Sequence, residues 1–191
     1  MPVPVMTSAR ALFIKLMDQY LALSYRLTLL EIQKLAYFLQ ESGEPLRLRY
    51  EAGHYGPYAA NLNKVLERIE GHFTRGYGDS QEPDVEITVL SGAVEEADAF
   101  LGSQSTSLER LNRVAKLIEG FETPYGMELL SSVHWVCQHE ESVPCDASTA
   151  VARIHEWNER KRRMFNEEHI GVAWQRLKDE CWLNKEPVPL C

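Results

Sequence analysis

Thr28-Leu29-Leu30-Glu31-Ile32-Gln33-Lys34-Leu35-Ala36-Tyr37-Phe38-Leu39-Gln40 is the stretch on which the fold turns. Thr28 followed three residues later by Glu31 is the reciprocal capping pattern, in which each side chain satisfies a backbone N–H that the first helical turn leaves free. Ile32, Leu35, Ala36 and Leu39 then recur at the i, i+3, i+4, i+7 spacing of one helix face, and Gly43 supplies the stop. The spacing predicts a helix over 28–42. Upstream, Met-Pro-Val-Pro-Val-Met cannot start a helix before Thr7 or Ser8 provides a cap, so 1–7 is expected to be the end of an interdomain linker and 8–23 a helix with Leu12, Leu16 and Tyr20 on one stripe.

Past Pro45 the period changes from 3.6 to 2. Leu46, Leu48 and Tyr50 alternate with Arg47 and Arg49, and Val85, Ile87 and Val89 alternate with Glu86 and Thr88, which predicts two short strands able to pair with the arginines opposite Glu86. Between them lie a loop over 52–57, a helix over 58–73 (Leu62, Val65, Leu66, Ile69, Phe73) and the turn Arg75-Gly76-Tyr77-Gly78-Asp79, whose backbone angles call for glycine. Downstream the patterns predict helices over 93–101, over 108–120 with Thr106 and Glu109 as a capping pair, from Thr123-Pro124 onward with Leu129, Val133, Val136 and Cys137 inward, over 148–164, and over 167–182 with Asn166 as cap. The two prolines of 184–191 mark a flexible tail. The fold class expected is mainly α: one helical domain over 8–183, of about seven helices, with a small two-stranded β element.

A chain of 191 residues with 45% hydrophobic content can bury a sizeable core. No run of about 18 apolar residues exists, and the N-terminus lacks a secretory pattern, so a cytoplasmic protein is expected, with Cys137, Cys145, Cys181 and Cys191 as reduced thiols. The formal charge of −8 is unevenly spread: residues 76–152 hold 14 acids against three bases, a net −11 that leaves +3 for the flanks. Such a balance disfavours a nucleic-acid binder and suits either a basic partner or simple solubility, with the acids on solvated faces and polar loops.

Enzyme and metal chemistry find little support in the residue spacing. His134, Cys137, His139 and Cys145 fall within twelve residues, yet 139 leaves the helix face shared by 134 and 137, which fits no tetrahedral zinc pattern. Cys145 near His139 has nothing to orient it as a nucleophile. Adjacent carboxylates such as Glu95 and Glu96, or Glu140 and Glu141, diverge by about 100° on a helix. Gly76-Tyr77-Gly78 lacks the third glycine and the strand-to-helix setting of a dinucleotide loop. Arg160-Lys161-Arg162-Arg163 is the one basic cluster; it lies in a last helical turn, where cations suit the dipole, with Glu156 and Glu159 close by. The loops 50–58 and 73–79 gather tyrosines between glycines, the composition of interface anchors as well as of tucked-in connectors.

Residues 30–40, followed by His54-Tyr55-Gly56-Pro57-Tyr58, resemble the paired helix and YGP turn of the Panacea-type antitoxin domain. With Gly-Glu-Pro-Leu-Arg-Leu (43–48), Leu-Glu-Arg-Ile-Glu-Gly-His-Phe (66–73), Gly-Tyr-Gly-Asp (76–79) and Gly-Ala-Val-Glu-Glu-Ala (92–97) added, nearly the whole chain is similar to the C-terminal toxin-binding domain of DarG-type antitoxins. The resemblance implies a partner, a DarT-type toxin that uses NAD to attach ADP-ribose to thymidine in single-stranded DNA, held in a 1:1 complex by occlusion of its DNA groove. Together with the spacing, hydropathy and charge above, the expectation is of no catalysis by this chain, no cofactor, no metal, no membrane and no direct contact with nucleic acid.

Residue chemistry proposes the contact set. Asp84 and Glu86, about 6.6 Å apart along one strand face, are close to two phosphate steps of about 3.4 Å each. His54, Tyr55, Tyr58 and Tyr77 offer rings for base positions, and Asp79 adds a carboxylate. The alternatives are a related antitoxin for an unrelated toxin and a helical DNA-binding regulator using Arg160-Lys161-Arg162-Arg163.

Overall fold

The computed structural model describes residues 3–78, 80, 82–139 and 144–183, and among them the chain is mainly helical and forms one domain. Nine helices occur there: α1 (Ser8–Leu23), α2 (Leu29–Glu41), α3 (Leu62–Ile69), α4 (Ala93–Leu101), α5 (Ser105–Ile118), α6 (Pro124–Gln138), α7 (Ala147–Trp157), α8 (Glu159–Met164) and α9 (Glu167–Asp179). Two antiparallel pairs accompany them: β1 (Glu51–Gly53) with β2 (Gly56–Tyr58), and β3 (Thr74–Arg75) with β4 (Thr88–Val89). No described helix is long and apolar enough to cross a membrane.

The caps legible in the sequence form as hydrogen bonds. Thr7, Thr28, Thr123 and Asn166 each accept a backbone N–H at the start of α1, α2, α6 and α9. Helix α2 runs through the middle of the molecule: ten of its thirteen residues are buried, so it is enclosed on every side instead of presenting one stripe. It packs on α1, α5 and α6; α1 also covers α4 and α5, and α9 closes the far side against α6 and α7.

A helix buried all round must satisfy its polar side chains internally. Glu31 does so within its own capping box and with the Tyr20 hydroxyl, which donates at 2.6 Å. The others clamp the backbone that follows the helix, in strand β2 and in the loops on either side of the hairpin. Gln33 brackets Ala59, accepting its N–H and donating to its carbonyl, both at 3.1 Å; Lys34 donates to the Pro57 carbonyl at 2.7 Å; and Gln40 brackets Leu48 through its N–H and carbonyl at 2.7 and 2.9 Å. The polar letters of the helix and the Tyr-Gly-Pro turn are therefore one structural unit.

These clamps explain where the expected strands differ. Residues 46–50 form no ladder with 85–89: Gln40 occupies the Leu48 backbone, Asn61 accepts the Arg49 N–H and donates to the Arg47 carbonyl, and Arg47 adopts a φ of +58° that ends the alternation. Pairing falls to β1 with β2 and to β3 with β4, and Glu86 meets Arg26 at 3.5 Å instead of Arg47 or Arg49. The expected helix over 58–73 is shortened to α3 because Gly56–Tyr58 is a strand and Glu70 turns to accept the Gly76 N–H.

The expected helix over 148–164 breaks at Asn158. Its extended backbone ends α7, and its side chain accepts the Lys161 N–H to begin α8. Helix α5 starts at Ser105 without the Thr106/Glu109 box, since Gln104 stands at its cap and accepts from Ser8 across the fold. α9 stops at Asp179, short of 182. Met6, expected in the linker, is buried in the core. The thiol expectation is also corrected: Cys137 and Cys145 form a disulfide, and no described cysteine is free. Their periodicity carried no sign that the chain beyond α6 brings Cys145 back to Cys137 in the helix's last turn. The expected tail over 184–191, with Cys191, lies outside the described residues.

Candidate functional site: an acidic cleft beside a rigid hairpin

Hairpin β1–β2 turns through only two residues, His54 and Tyr55, in the register Gly53↔Gly56. Both flanking glycines are required. A Cβ on Gly53 would stand 2.9 Å from the Gly56 carbonyl oxygen, and one on Gly56, whose φ is +98°, would stand 2.9 Å from Ser132 Oγ. The two turn rings meet edge to face at 4.7 Å. Trp157 Nε1 donates to the Gly53 carbonyl at 3.1 Å and Asn158 Nδ2 to that of His54 at 3.2 Å, so the break between α7 and α8 seats the turn.

Beneath the hairpin lies a buried ionic cluster that the spacing did not reveal. Glu128, 1% exposed, accepts two hydrogen bonds from the Arg160 guanidinium (2.5 and 3.0 Å) and one from Lys161 Nζ (2.6 Å). The Lys161 amine also sits 4.9 Å from the Trp157 ring centre, and the Arg160 guanidinium 4.7 Å from that of Tyr55. Burial pushes the Lys34 amine down to about 7, with Glu128 opposing that shift and Lys161 adding to it. The signal for the cluster was an acid and a lysine within apolar helical runs, Met127-Glu128-Leu129 and Gln33-Lys34-Leu35. The basic run accordingly divides: Arg160 and Lys161 turn inward to Glu128, while Arg162 and Arg163 pair with Glu159 at the surface.

On the other side of the cleft, residues 82–87 cross the start of α2. Leu29 and Leu30 donate their N–H groups to the carbonyls of Val85 and Pro83, and Ile87 donates to Leu27. The helix's first free donors are thereby used to hold this segment. The Gly76 turn passes so near that a Cβ there would come within 2.1 Å of the Glu86 carbonyl oxygen. Between segment and hairpin opens a cleft of about 430 Å³, lined by Arg26, Leu30, Tyr55, Glu82, Pro83 and Asp84 among others.

The expected contact residues separate on this frame. His54 and Tyr55 are exposed at the turn, Tyr55 and Asp84 share the cleft, and Glu86 is exposed but paired with Arg26. Asp84 and Glu86 keep their outward alternation against half-buried Val85 and buried Ile87. Tyr58 is half-buried and its hydroxyl accepts from Asn63. Tyr77 is 3% exposed and its hydroxyl is buried, so its ring is largely withdrawn from the surface. Asp79 lies outside the described residues. Of the other candidates, His134 is buried, hydrogen-bonded to the Tyr37 hydroxyl at 2.7 Å and facing the Trp182 carbonyl at 3.2 Å, and burial lowers it to about 4; His139 bonds Glu41.

No family model matches the chain. It is 41% identical over 190 residues to a DNA ADP-ribosyl glycohydrolase of Thermus aquaticus, which takes in 96% of this chain. It is 37% identical over 154 residues to DNA ADP-ribosyl glycohydrolases of Mycobacterium tuberculosis and Mycobacterium bovis. The chain spans 52% of the Thermus protein and 43% of each mycobacterial one. The resemblance to a Panacea-type antitoxin domain gives way to these relatives, which bear the name of a glycohydrolase. The expectation of no catalysis is corrected by the same relatives, which are named as glycohydrolases and of which this chain spans about half.

Proposed function

We propose that this chain acts in the reversal of DNA ADP-ribosylation, as part of a DNA ADP-ribosyl glycohydrolase, and that its cleft face grips the transferase that installs the modification, a DarT-type toxin, in a 1:1 complex. The observation that carries this reading is the 41% identity along almost the whole chain to the Thermus glycohydrolase. Physical chemistry supports the second half. A groove that takes single-stranded DNA is basic and lined with stacking surfaces. The acid-rich half of this chain places Glu82, Asp84 and Glu86 at the surface around an exposed, firmly seated pair of rings, His54 and Tyr55. Carboxylates in phosphate positions draw the surfaces together, and two rings held in place lose little entropy on contact.

Competition tests it. A DarT-type toxin is loaded with fluorescent thymidine oligonucleotide, and the chain is titrated in at low and high salt. The expected result is full displacement of the oligonucleotide, with an affinity that falls as salt rises. A ternary species carrying both oligonucleotide and chain would refute the occlusion.

A further inference from the structure

The basic run 160–163 turns away from solvent over half its length, and that places it under the recognition turn. Arg160 is gripped in fork geometry by a carboxylate that is itself almost fully buried, so the guanidinium plane has little freedom. Its other side lies on the ring of Tyr55, which is 37% exposed and lines the cleft. Glu128 is in turn fixed by Lys161, whose amine is enclosed by Trp157 and Phe165. Two residues just upstream of this run, Trp157 and Asn158, hold the backbone of the same turn. One short segment, 157–161, thus fixes both the path of the turn and one face of its ring.

We infer that Arg160 is a positioning residue for partner recognition: clamped by Glu128, it presses on the inner face of Tyr55 and presents the outer face of that ring to the cleft in one orientation. The inference rests on the proposed toxin contact. A preorganised ring is held before the encounter, so Arg160 acts on the lifetime of the complex and leaves its rate of formation alone. Arginine is required for two reasons at once: lysine can neutralise Glu128, but it offers neither the bidentate fork nor a plane that lies flat on an aromatic face.

The experiment uses the full chain with fluorotyrosine at Tyr55, its resonance assigned with Tyr55→Phe, and compares Arg160→Lys and Arg160→Met. The free protein reads positioning without any partner: the Tyr55 resonance is expected to shift and broaden in both variants. With a DarT-type toxin, dissociation is expected to quicken about fivefold in Arg160→Lys while association changes less than about twofold. In a double-mutant cycle the Arg160 effect should vanish on a Tyr55→Leu background. Arg160→Lys keeps the charge beside Glu128, so it serves where Arg160→Met does not fold. A resonance unmoved in Arg160→Lys, or additive losses in the cycle, would overturn the positioning role. A shifted resonance in a chain that binds no toxin would leave Arg160 as the determinant of ring orientation and remove the proposed function instead.

Discussion

Two sets of charges flank Tyr55, and they do different work. Below the hairpin, Glu128, Arg160, Lys161 and Lys34 are wholly or mostly out of water and joined by short hydrogen bonds to each other or to the Pro57 carbonyl. Above it, Glu82, Asp84 and Glu86 face solvent, and the ion pair given by one of them, Glu86 with Arg26, has both side chains more than half exposed. In a low-dielectric interior each hydrogen-bonded ion pair is strong and a buried charge left alone is costly, so the lower set fixes geometry. At the surface electrostatic energy is weak pair by pair but sums over distance, so the upper set governs approach. A recognition turn needs both, and here they meet at one ring.

The largest separation between the two sets should appear in stability. Glu128→Ala leaves two buried or half-buried cations without their carboxylate and is expected to cost about 3–5 kcal/mol in urea unfolding, whereas joint replacement of Glu82, Asp84 and Glu86 by alanine should stay within about 0.5 kcal/mol per site. Equal losses would erase the distinction.

Next in size is a pH effect confined to the interior. Lys34 loses its proton at about 7 in the fold against an ordinary 10.5. Between those values the unfolded chain binds a proton that the folded chain does not, so stability should rise with pH across that window, by up to about 1.4 kcal/mol per pH unit. Below 7 both states carry the proton and the penalty is constant. Lys34→Met should flatten the rise, measured as the difference in unfolding free energy between variant and parent from pH 7 to about 9.5. His134, held near 4 against 6.5, obeys the same sign lower down: stability falls as pH drops from 6.5 toward 4 and levels below it.

Kinetics should sharpen the other side. Asp84→Lys with Glu86→Lys is expected to slow association with a DarT-type toxin about tenfold at low salt and far less at high salt, with little change in dissociation. The smallest effect belongs to Tyr77, whose hydroxyl is buried without a hydrogen-bond partner. Tyr77→Phe should leave toxin affinity unchanged and alter stability by no more than about 1 kcal/mol.

How much of this was legible follows from the range of the interactions involved. Thr28 and Glu31, or Thr123 and Pro124, lie within one helical turn of each other, and the sequence pattern located their helices. Gln33, Lys34 and Gln40 were visible as polar letters in an apolar run, but their partners, Ala59, Pro57 and Leu48, are 26, 23 and 8 residues away, so the clamps that turn an apparent strand into restrained loop left no period to read. Glu128 meets Arg160 across 32 residues, and a run of four bases reads as surface until that acid is found beneath it. Tyr77 shows the converse: its glycine neighbours marked a turn correctly, but the burial of its ring is a tertiary outcome that the local pattern does not carry.

Modification of DNA itself is the most direct readout of the proposed occlusion. A DarT-type transferase is supplied with NAD and a thymidine-containing single-stranded oligonucleotide, and the modified fraction is followed with and without an equimolar amount of this chain. The expected result is a steep fall in modified oligonucleotide, relieved in the Asp84→Lys, Glu86→Lys variant; modification that proceeds undiminished beside the intact, folded chain would contradict it.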